Sequence, residues 1–193
     1  MGPWERDGAL LAEVWRSGGC AASPKPRTGP DIDEAPAMTR IGLESPTAVD
    51  VLALLRQSDA YHTRLYPAAS NHLIGADALA HENVRFLVAR SAGIAVGCGA
   101  LLIGSAGEAE LKRMFVAAHL RGRQLGRQIL AALESQALAE GVRVVRLETG
   151  VRQPAALALY RSHGYVERGP FGSYAADPLS TFFEKRLQHA GRQ

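Results

Sequence analysis

Glu110-Leu-Lys-Arg-Met-Phe-Val-Ala-Ala-His-Leu-Arg-Gly-Arg-Gln-Leu-Gly-Arg-Gln-Ile-Leu130 carries an apolar strand into a Gly/Arg turn and from there directly into an amphipathic helix. The spacing predicts a helix start near Gly122. No Ser, Thr, Asp or Asn stands at that junction to accept the first backbone N–H groups, which carry the positive end of the helix dipole. Between Leu111 and Leu133 there is no carboxylate, whereas Lys112, Arg113, Arg121, Arg123 and Arg127 crowd the same region. Uncapped amides amid clustered cations form a site for a phosphate or pyrophosphate.

Within this stretch Arg121-Gly-Arg-Gln-Leu-Gly126 resembles the Gln/Arg-x-x-Gly-x-Gly/Ala signature of the GNAT family of N-acetyltransferases. The segments around it strengthen the resemblance: a strand before the turn, a helix after it, a strand over Val142 to Thr149, and Gln153-Pro-Ala-Ala-Leu-Ala-Leu-Tyr-Arg-Ser-His-Gly-Tyr165. The similarity spans Met38 to Leu187. It implies acetyl-CoA as co-substrate, its pyrophosphate held by the turn residues Arg121, Gly122, Arg123, Gln124, Leu125, Gly126 and Arg127. The main-chain N–H groups around Met114, Phe115 and Val116 would face the thioester carbonyl. One position departs: Gln124 stands where the family has its middle glycine, placing a side chain where backbone approaches ligand most closely.

Length and composition fit one domain with a well-developed core: 193 residues, 47% hydrophobic and 21% charged. Residues 1–37 differ from the rest, with five of the ten prolines, five of the twenty glycines and little apolar periodicity. They read as a flexible N-terminal extension before a single domain over 38–193. Met38-Thr-Arg-Ile-Gly-Leu also resembles the opening of the family's first strand, so a native extension, upstream initiation and appended sequence all fit. The chain carries +3 overall, divided as −2 over residues 1–37 and +5 over the remainder. A mildly basic domain suits the phosphates of an acyl-CoA. Nucleic acid is not expected as a partner, because the cations concentrate at one turn and aromatic residues make up only 6% of the chain.

Cys20 and Cys98 lie far apart, so neither a disulfide framework nor a metal-ligand spacing exists, and no metal is expected. Cys98 reads as a small buried strand residue. The uncharged run Ile94 to Gly107 is too short and glycine-rich to span a bilayer, and no targeting segment precedes it, which makes a cytoplasmic enzyme the expectation. Oligomeric state is not legible, and a homodimer is compatible with the chain.

Ser45-Pro46 reads as an N-cap followed by proline at the first helical position, after a strand containing Ile41 and Leu43. An irregular segment, Leu65 to Leu73, and a helical turn near Asp77 to Ala80 lead into Val84 to Arg90 and Ile94 to Ile103, two strands of a hairpin. The strand Glu108 to Val116 comes next. Leu125, Ile129, Leu133 and Ala137 then recur every four residues along a helix that Gly141 stops. A strand from Val142, a helix opened by Pro154 and a last strand over Ser180 to Leu187 complete the order. The fold class is therefore α/β: a mixed, mostly antiparallel sheet flanked by helices on both faces, as the resemblance also implies.

Acetyl transfer to an amine needs a neutral nucleophile, a polarised thioester and a proton for the leaving thiolate. The resemblance implies that Tyr160 is the general acid, although its residue pattern alone also fits an amphipathic helix position. Gln153 stands where the family commonly has a cofactor-contacting asparagine. Glu110, eleven residues before Arg121, has the spacing of the family's general-base glutamate; it is equally readable as a partner of Lys112 or Arg113 at a strand end. On a regular strand Glu110, Lys112 and Met114 share a face, unless a bulge re-aims the residues beyond it. Glu148 is a second carboxylate, readable as a substitute base or as a partner of Arg146 or Arg152. Tyr66, Asn71 and His72, with Tyr174 near the end, are the expected acceptor-binding residues. The expectation is acetylation of a small-molecule primary amine by direct attack in a ternary complex. Acylation of a protein N-terminus or lysine, and a non-catalytic acyl-CoA-binding module, are the alternatives.

Overall fold

The computed structural model describes residues 39–188, so the expectation for residues 1–37 lies outside the described part of the chain. The elements run β1 (Arg40–Leu43), α1 (Val49–Leu65), a 3-10 turn (Ala68–Ser70), α2 (Ala76–Leu79), β2 (Val84–Ser91), β3 (Ile94–Ile103) and β4 (Glu108–Val116). After these come a second 3-10 turn (Ala118–Leu120), α3 (Leu125–Ala139), β5 (Val144–Gly150), α4 (Pro154–Ser162), β6 (Val166–Arg168) and β7 (Ser180–Arg186). The strands form a seven-stranded sheet in the order β1-β2-β3-β4-β5-β7-β6. β4 and β5 pair in parallel and every other neighbouring pair is antiparallel. The expected mixed sheet is therefore present.

Alternation along β2 divides the sheet between two cores. Leu87 and Ala89 point to a cluster built with α3 and Tyr160 of α4, whereas Phe86 and Val88 point to a cluster built with α1 and α2. Ile129, Leu130 and Leu133 of α3 are wholly buried. Burial of a side chain of this size contributes about 1.5–3 kcal/mol. α3 can lie this close because β3 carries glycine beneath it: a Cβ on Gly97 would come within 2.7 Å of Ile129 Cδ1, and one on Gly99 within 2.6 Å of Leu133 Cδ1.

Two helix starts differ from the sequence expectation. α1 begins at Val49 rather than at Ser45-Pro46, because the Ser45 hydroxyl is used by a tight local turn, accepting the Thr47 N–H at 3.2 Å. α3 begins at Leu125 rather than near Gly122. Gly122 (φ 78°) and Gln124 (φ 60°) are both left-handed, a conformation that no right-handed helix can include. β6, a three-residue exposed edge strand, had no period long enough to be read.

Candidate active site

β4 and β5 form a seam that closes at one end and opens at the other. They are paired from Glu108↔Val144 to Leu111↔Leu147, and the ladder stops there. Beyond it β4 continues beside β3 as far as Val116, and β5 beside β7 as far as Gly150. A cleft of about 730 Å³ occupies this region, lined by Leu111–Val116 on one side and Glu148–Gly150 on the other, with α1, α3 and α4 contributing.

The β4 side of the cleft is bulged. Cys98 pairs with Phe115 and Ala100 with Lys112, leaving Gly99 opposite both Arg113 and Met114. Arg113 carries the distortion at φ 56°. Leu111 belongs to the α3 core and Phe115 to the α1 core, although residues four apart on a regular strand share a face. Met114 is likewise turned toward the α3 core, away from the side on which Glu110 and Lys112 meet Tyr174. A left-handed non-glycine residue costs about 1–2 kcal/mol, and three contacts hold this one in place. Its Nη1 donates to Asp59 Oδ1 at 2.5 Å, its Nη2 to the Leu55 carbonyl at 3.4 Å, and its own carbonyl accepts the Cys98 thiol at 3.3 Å. Burial pushes that thiol up to about 12, so Cys98 is a structural donor and not a nucleophile.

At the far side of the cleft stands the uncapped helix. No side chain caps α3, and the first amide to find a helical acceptor is that of Gln128, which donates to the Gln124 carbonyl at 3.1 Å. Among the described residues the Leu125, Gly126 and Arg127 amides have no hydrogen-bond partner. Arg121, Gly122, Gln124, Leu125, Gly126 and Arg127 all line the cleft; Arg123 does not. Arg121 folds back, its Nε donating to the Val116 carbonyl at 3.1 Å and its guanidinium lying 4.5 Å from the Tyr61 ring centroid. The expected departure from the glycine pattern has a conformational cost: Gln124 adopts a left-handed φ that glycine would adopt freely.

Tyr160 projects from α4 into the same cleft. Its ring is buried against Tyr165 (5.7 Å) and Phe183 (6.0 Å). Desolvation, with the Glu148 charge adding to it, raises the phenol's pKa, so the hydroxyl is protonated at neutral pH. Gln153, the residue before α4, lines the cleft as well.

The opposite end collects polar groups: His62, Tyr66, Asn71, His72, Lys112 and Glu148. Tyr66 is buried, and its ring lies so close over Gly150 that any Cβ there would collide with it. Its hydroxyl accepts the Arg152 N–H at 2.9 Å. Neither arginine pairs with Glu148. Arg146 is taken by Glu108 (2.5 Å) and Glu184 (2.8 Å), Arg152 reaches the Leu65 carbonyl (2.7 Å), and among the described residues Glu148 accepts only the Ser180 hydroxyl, at 2.6 Å.

Glu110 is placed differently from the expectation. It is not among the residues lining the cleft, and its carboxylate accepts the Tyr174 hydroxyl at 2.6 Å and lies 3.2 Å from the Lys112 ammonium. Lys112 also donates to the Tyr174 hydroxyl and to the His72 carbonyl, at 3.3 Å for the latter. Tyr174 lies behind the lining, packed edge-on against His72 with centroids 5.1 Å apart. Glu110, Lys112 and Tyr174 thus fasten the segment containing His72 to the segment containing Tyr174. The reading of Glu110 as a partner of Lys112 describes its contacts. Three cleft or cleft-supporting residues had no assigned role in the sequence, Asp59, Tyr61 and His62, and Arg113, expected among the cations of the anion site, is instead committed to Asp59 and the Leu55 carbonyl. The signal for His62 was its i, i+4 spacing from Ser58 on one helix face.

Among the described residues no helix is long and apolar enough to cross a membrane, and no group of three or more His, Cys, Asp or Glu could hold a metal ion. Comparison with known proteins places the fold and cleft in context. Residues 51–165 match the model of the acetyltransferase (GNAT) family. The chain is 49% identical over 148 residues to IAA acetyltransferase of Azospirillum brasilense, covering 76% of this chain and 97% of that one. It is 31% identical over 151 residues to the uncharacterized N-acetyltransferase YsnE of Bacillus subtilis (strain 168), with 76% and 99% covered. A crystal structure of a candidate acyl-CoA N-acyltransferase from Klebsiella pneumoniae superposes with a TM-score of 0.67 at 39% identity, over 79% of this chain and 99% of that one. An N-acetyltransferase of Thermoplasma acidophilum, solved with coenzyme A, shares the fold at a TM-score of 0.61 and 16% identity, over 78% and 99%. The chain belongs to the GNAT family and is an acetyltransferase.

Proposed function

We propose that this enzyme transfers the acetyl group of acetyl-CoA to a primary amine of a small molecule by direct attack in a ternary complex. The observation that carries the reading is the opened β4–β5 seam, which brings an uncapped helix, a bulged strand, a phenol and a carboxylate to one cleft. Each supports one requirement. The free amides of Leu125, Gly126 and Arg127 suit the pyrophosphate, with the Arg127 and Arg121 cations near them. The main-chain N–H groups at Met114 to Val116, beside the bulge, suit the thioester oxygen. Fixed dipoles of this kind stabilise developing negative charge without reorganising.

Glu148 is the carboxylate that the cleft leaves without a cationic partner among the described residues, so it serves as the anchor of an acceptor ammonium. Once a proton leaves that ammonium, the nitrogen lone pair forms the C–N bond at the thioester carbonyl carbon. The adduct loses its second surplus N–H proton to solvent as the C–S bond breaks. Tyr160 donates its proton to the departing thiolate and is reprotonated from solvent. Ammonium and acetyl-CoA thereby give amide, free CoA thiol and one released proton. The small-molecule reading is supported by the fastening of the His72 and Tyr174 segments to each other, which walls the acceptor end.

The test is thiol release from acetyl-CoA against polyamines, amino acids, aminoglycosides and peptides. Turnover restricted to peptides would replace the small-molecule reading with protein acylation. Tight CoA binding with no thiol release for any amine would leave a binding module.

A further inference from the structure

His62 lies in the last turn of α1 and lines the acceptor end of the cleft. Its Nδ1 is 2.8 Å from the Ser58 carbonyl oxygen. A carbonyl only accepts, so Nδ1 must carry the proton of that bond. In the neutral ring the other nitrogen, Nε2, is then the one with a free lone pair. Among the described residues Nε2 has no hydrogen-bond partner, whereas Nδ1 is committed to Ser58. A main-chain acceptor on the same helix thus fixes both the ring's orientation and its tautomer.

We infer that Nε2 of His62 is the proton acceptor for the amine substrate, a role that rests on the acetyltransfer reading above. The division of labour follows from basicity. A carboxylate with an ordinary pKa near 4 holds a cation well but takes little of its proton at neutral pH; an imidazole is far better matched to that task. Glu148 anchors the ammonium, and His62 removes one of its protons: the N–H bond breaks, Nε2–H forms, and an imidazolium faces Glu148. The charges around the ring are mixed. Asp59 on α1 and Glu148 on β5 favour the imidazolium, Arg113 on β4 opposes it, the Tyr61 ring packs edge-on against the imidazole, and the Tyr66 phenol, its pKa raised by burial, brings no charge at neutral pH. Burial outweighs these and holds the ring's pKa below its ordinary value, so His62 enters each cycle as the neutral base.

His62→Asn tests this directly, because the asparagine amide nitrogen can replace Nδ1 as donor to Ser58 while Nε2 is removed. The expected result is unchanged acetyl-CoA affinity and a loss of about tenfold or more in kcat/KM near neutral pH. The loss should shrink toward high pH, where more of the amine is already neutral. A variant with the wild-type kcat/KM and pH profile overturns the role. Nitrogen chemical shifts of His62 in the wild-type full chain give a second readout that needs no variant to fold. Nε2 should be the unprotonated nitrogen at pH 7.5 and should gain a proton on acidification; an Nε2–H tautomer at pH 7.5 overturns the inference by itself. Absence of amine-dependent thiol release by the wild type would instead overturn the acetyltransfer reading, and with it the substrate on which His62 acts.

Discussion

The two ends of the β4–β5 seam are built from the same two strands and have opposite fates. From Ala109 to Leu111 β4 is paired on both sides, and Arg146 of β5, opposite Glu110 in the ladder, reaches the Glu108 carboxylate at 2.5 Å and 2.7 Å. From Lys112 to Val116 the strand keeps only its β3 neighbour, and the bulge at Arg113 breaks its regularity. The first end is sheet and is stabilised by its ladder. The second gives up hydrogen bonds on the β5 side, and the main-chain groups so freed are what the cleft offers to a ligand. On the proposed reading, the thioester would be bound where the sheet is left incomplete.

The open end can be broken most completely at the phosphate side. Gly126→Glu is expected to abolish CoA binding in calorimetry, since it puts bulk and negative charge where the free amides of α3 would meet the pyrophosphate. A Cβ at Gly126 lies 3.6 Å from Leu159 and 3.9 Å from Val116, ordinary contact distances, so the fold should persist. Unchanged affinity would refute the cofactor placement. Tyr160→Phe should lower kcat by about 10²-fold with little change in acetyl-CoA affinity, because a positioned acid acts mainly in the transition state. Full kcat in this variant would reduce Tyr160 to packing.

Arg113→Met sharpens the comparison at the bulge itself. It keeps the buried stem and removes the bonds to Asp59 and Leu55, which should cost about 1–3 kcal/mol in chemical denaturation. It should also lower kcat more than it raises the Kd for CoA, because the amides beside the bulge lose their fixed aim. Glu110→Gln, by contrast, loosens the fastening of the Tyr174 and His72 segments behind the cleft. The acceptor KM should rise severalfold while the pH profile keeps its shape; loss of the acidic limb would instead make Glu110 the base. The smallest effect is a pH-dependent one. Burial depresses the folded-state pKa of His62, so below about pH 6.5 the unfolded chain binds a proton that the folded chain resists, and stability falls as pH drops through that range. His62→Asn should remove this component, seen as a flatter dependence of melting temperature between about pH 5 and 7.

Much of the architecture was legible because it rests on local periodicity. The every-fourth-residue stripe Leu125 to Ala137 specified a helix lying on a sheet, and four of its positions are buried as that stripe requires. The strand Glu108–Val116 was bounded by the change of pattern at each end. The helix starts were not, because Ser45 and Gln124 are decided by competing local geometries that one sequence can adopt equally well. For Glu110 the spacing was readable and the surroundings were not: its partners Lys112 and Tyr174 come from two and sixty-four positions away, and the second lies beyond any local pattern.

What the sequence by itself determined is the class of chemistry. Gly122 and Gly126 around an arginine-rich turn, with an uncapped amphipathic helix after it, specify a strand–turn–helix unit suited to an anion, since each feature depends on residues close along the chain; the acid role expected of Tyr160 came from the family resemblance. What only the tertiary structure decided is which groups reach the cleft. The flip of Met114, the commitment of Glu110 to Lys112 and Tyr174, the freedom of Glu148 from Arg146 and Arg152, and the arrival of His62 at the cleft all depend on contacts between α1, β4, β5 and the segment before β7. Long-range packing fixes such contacts, and no local period encodes them.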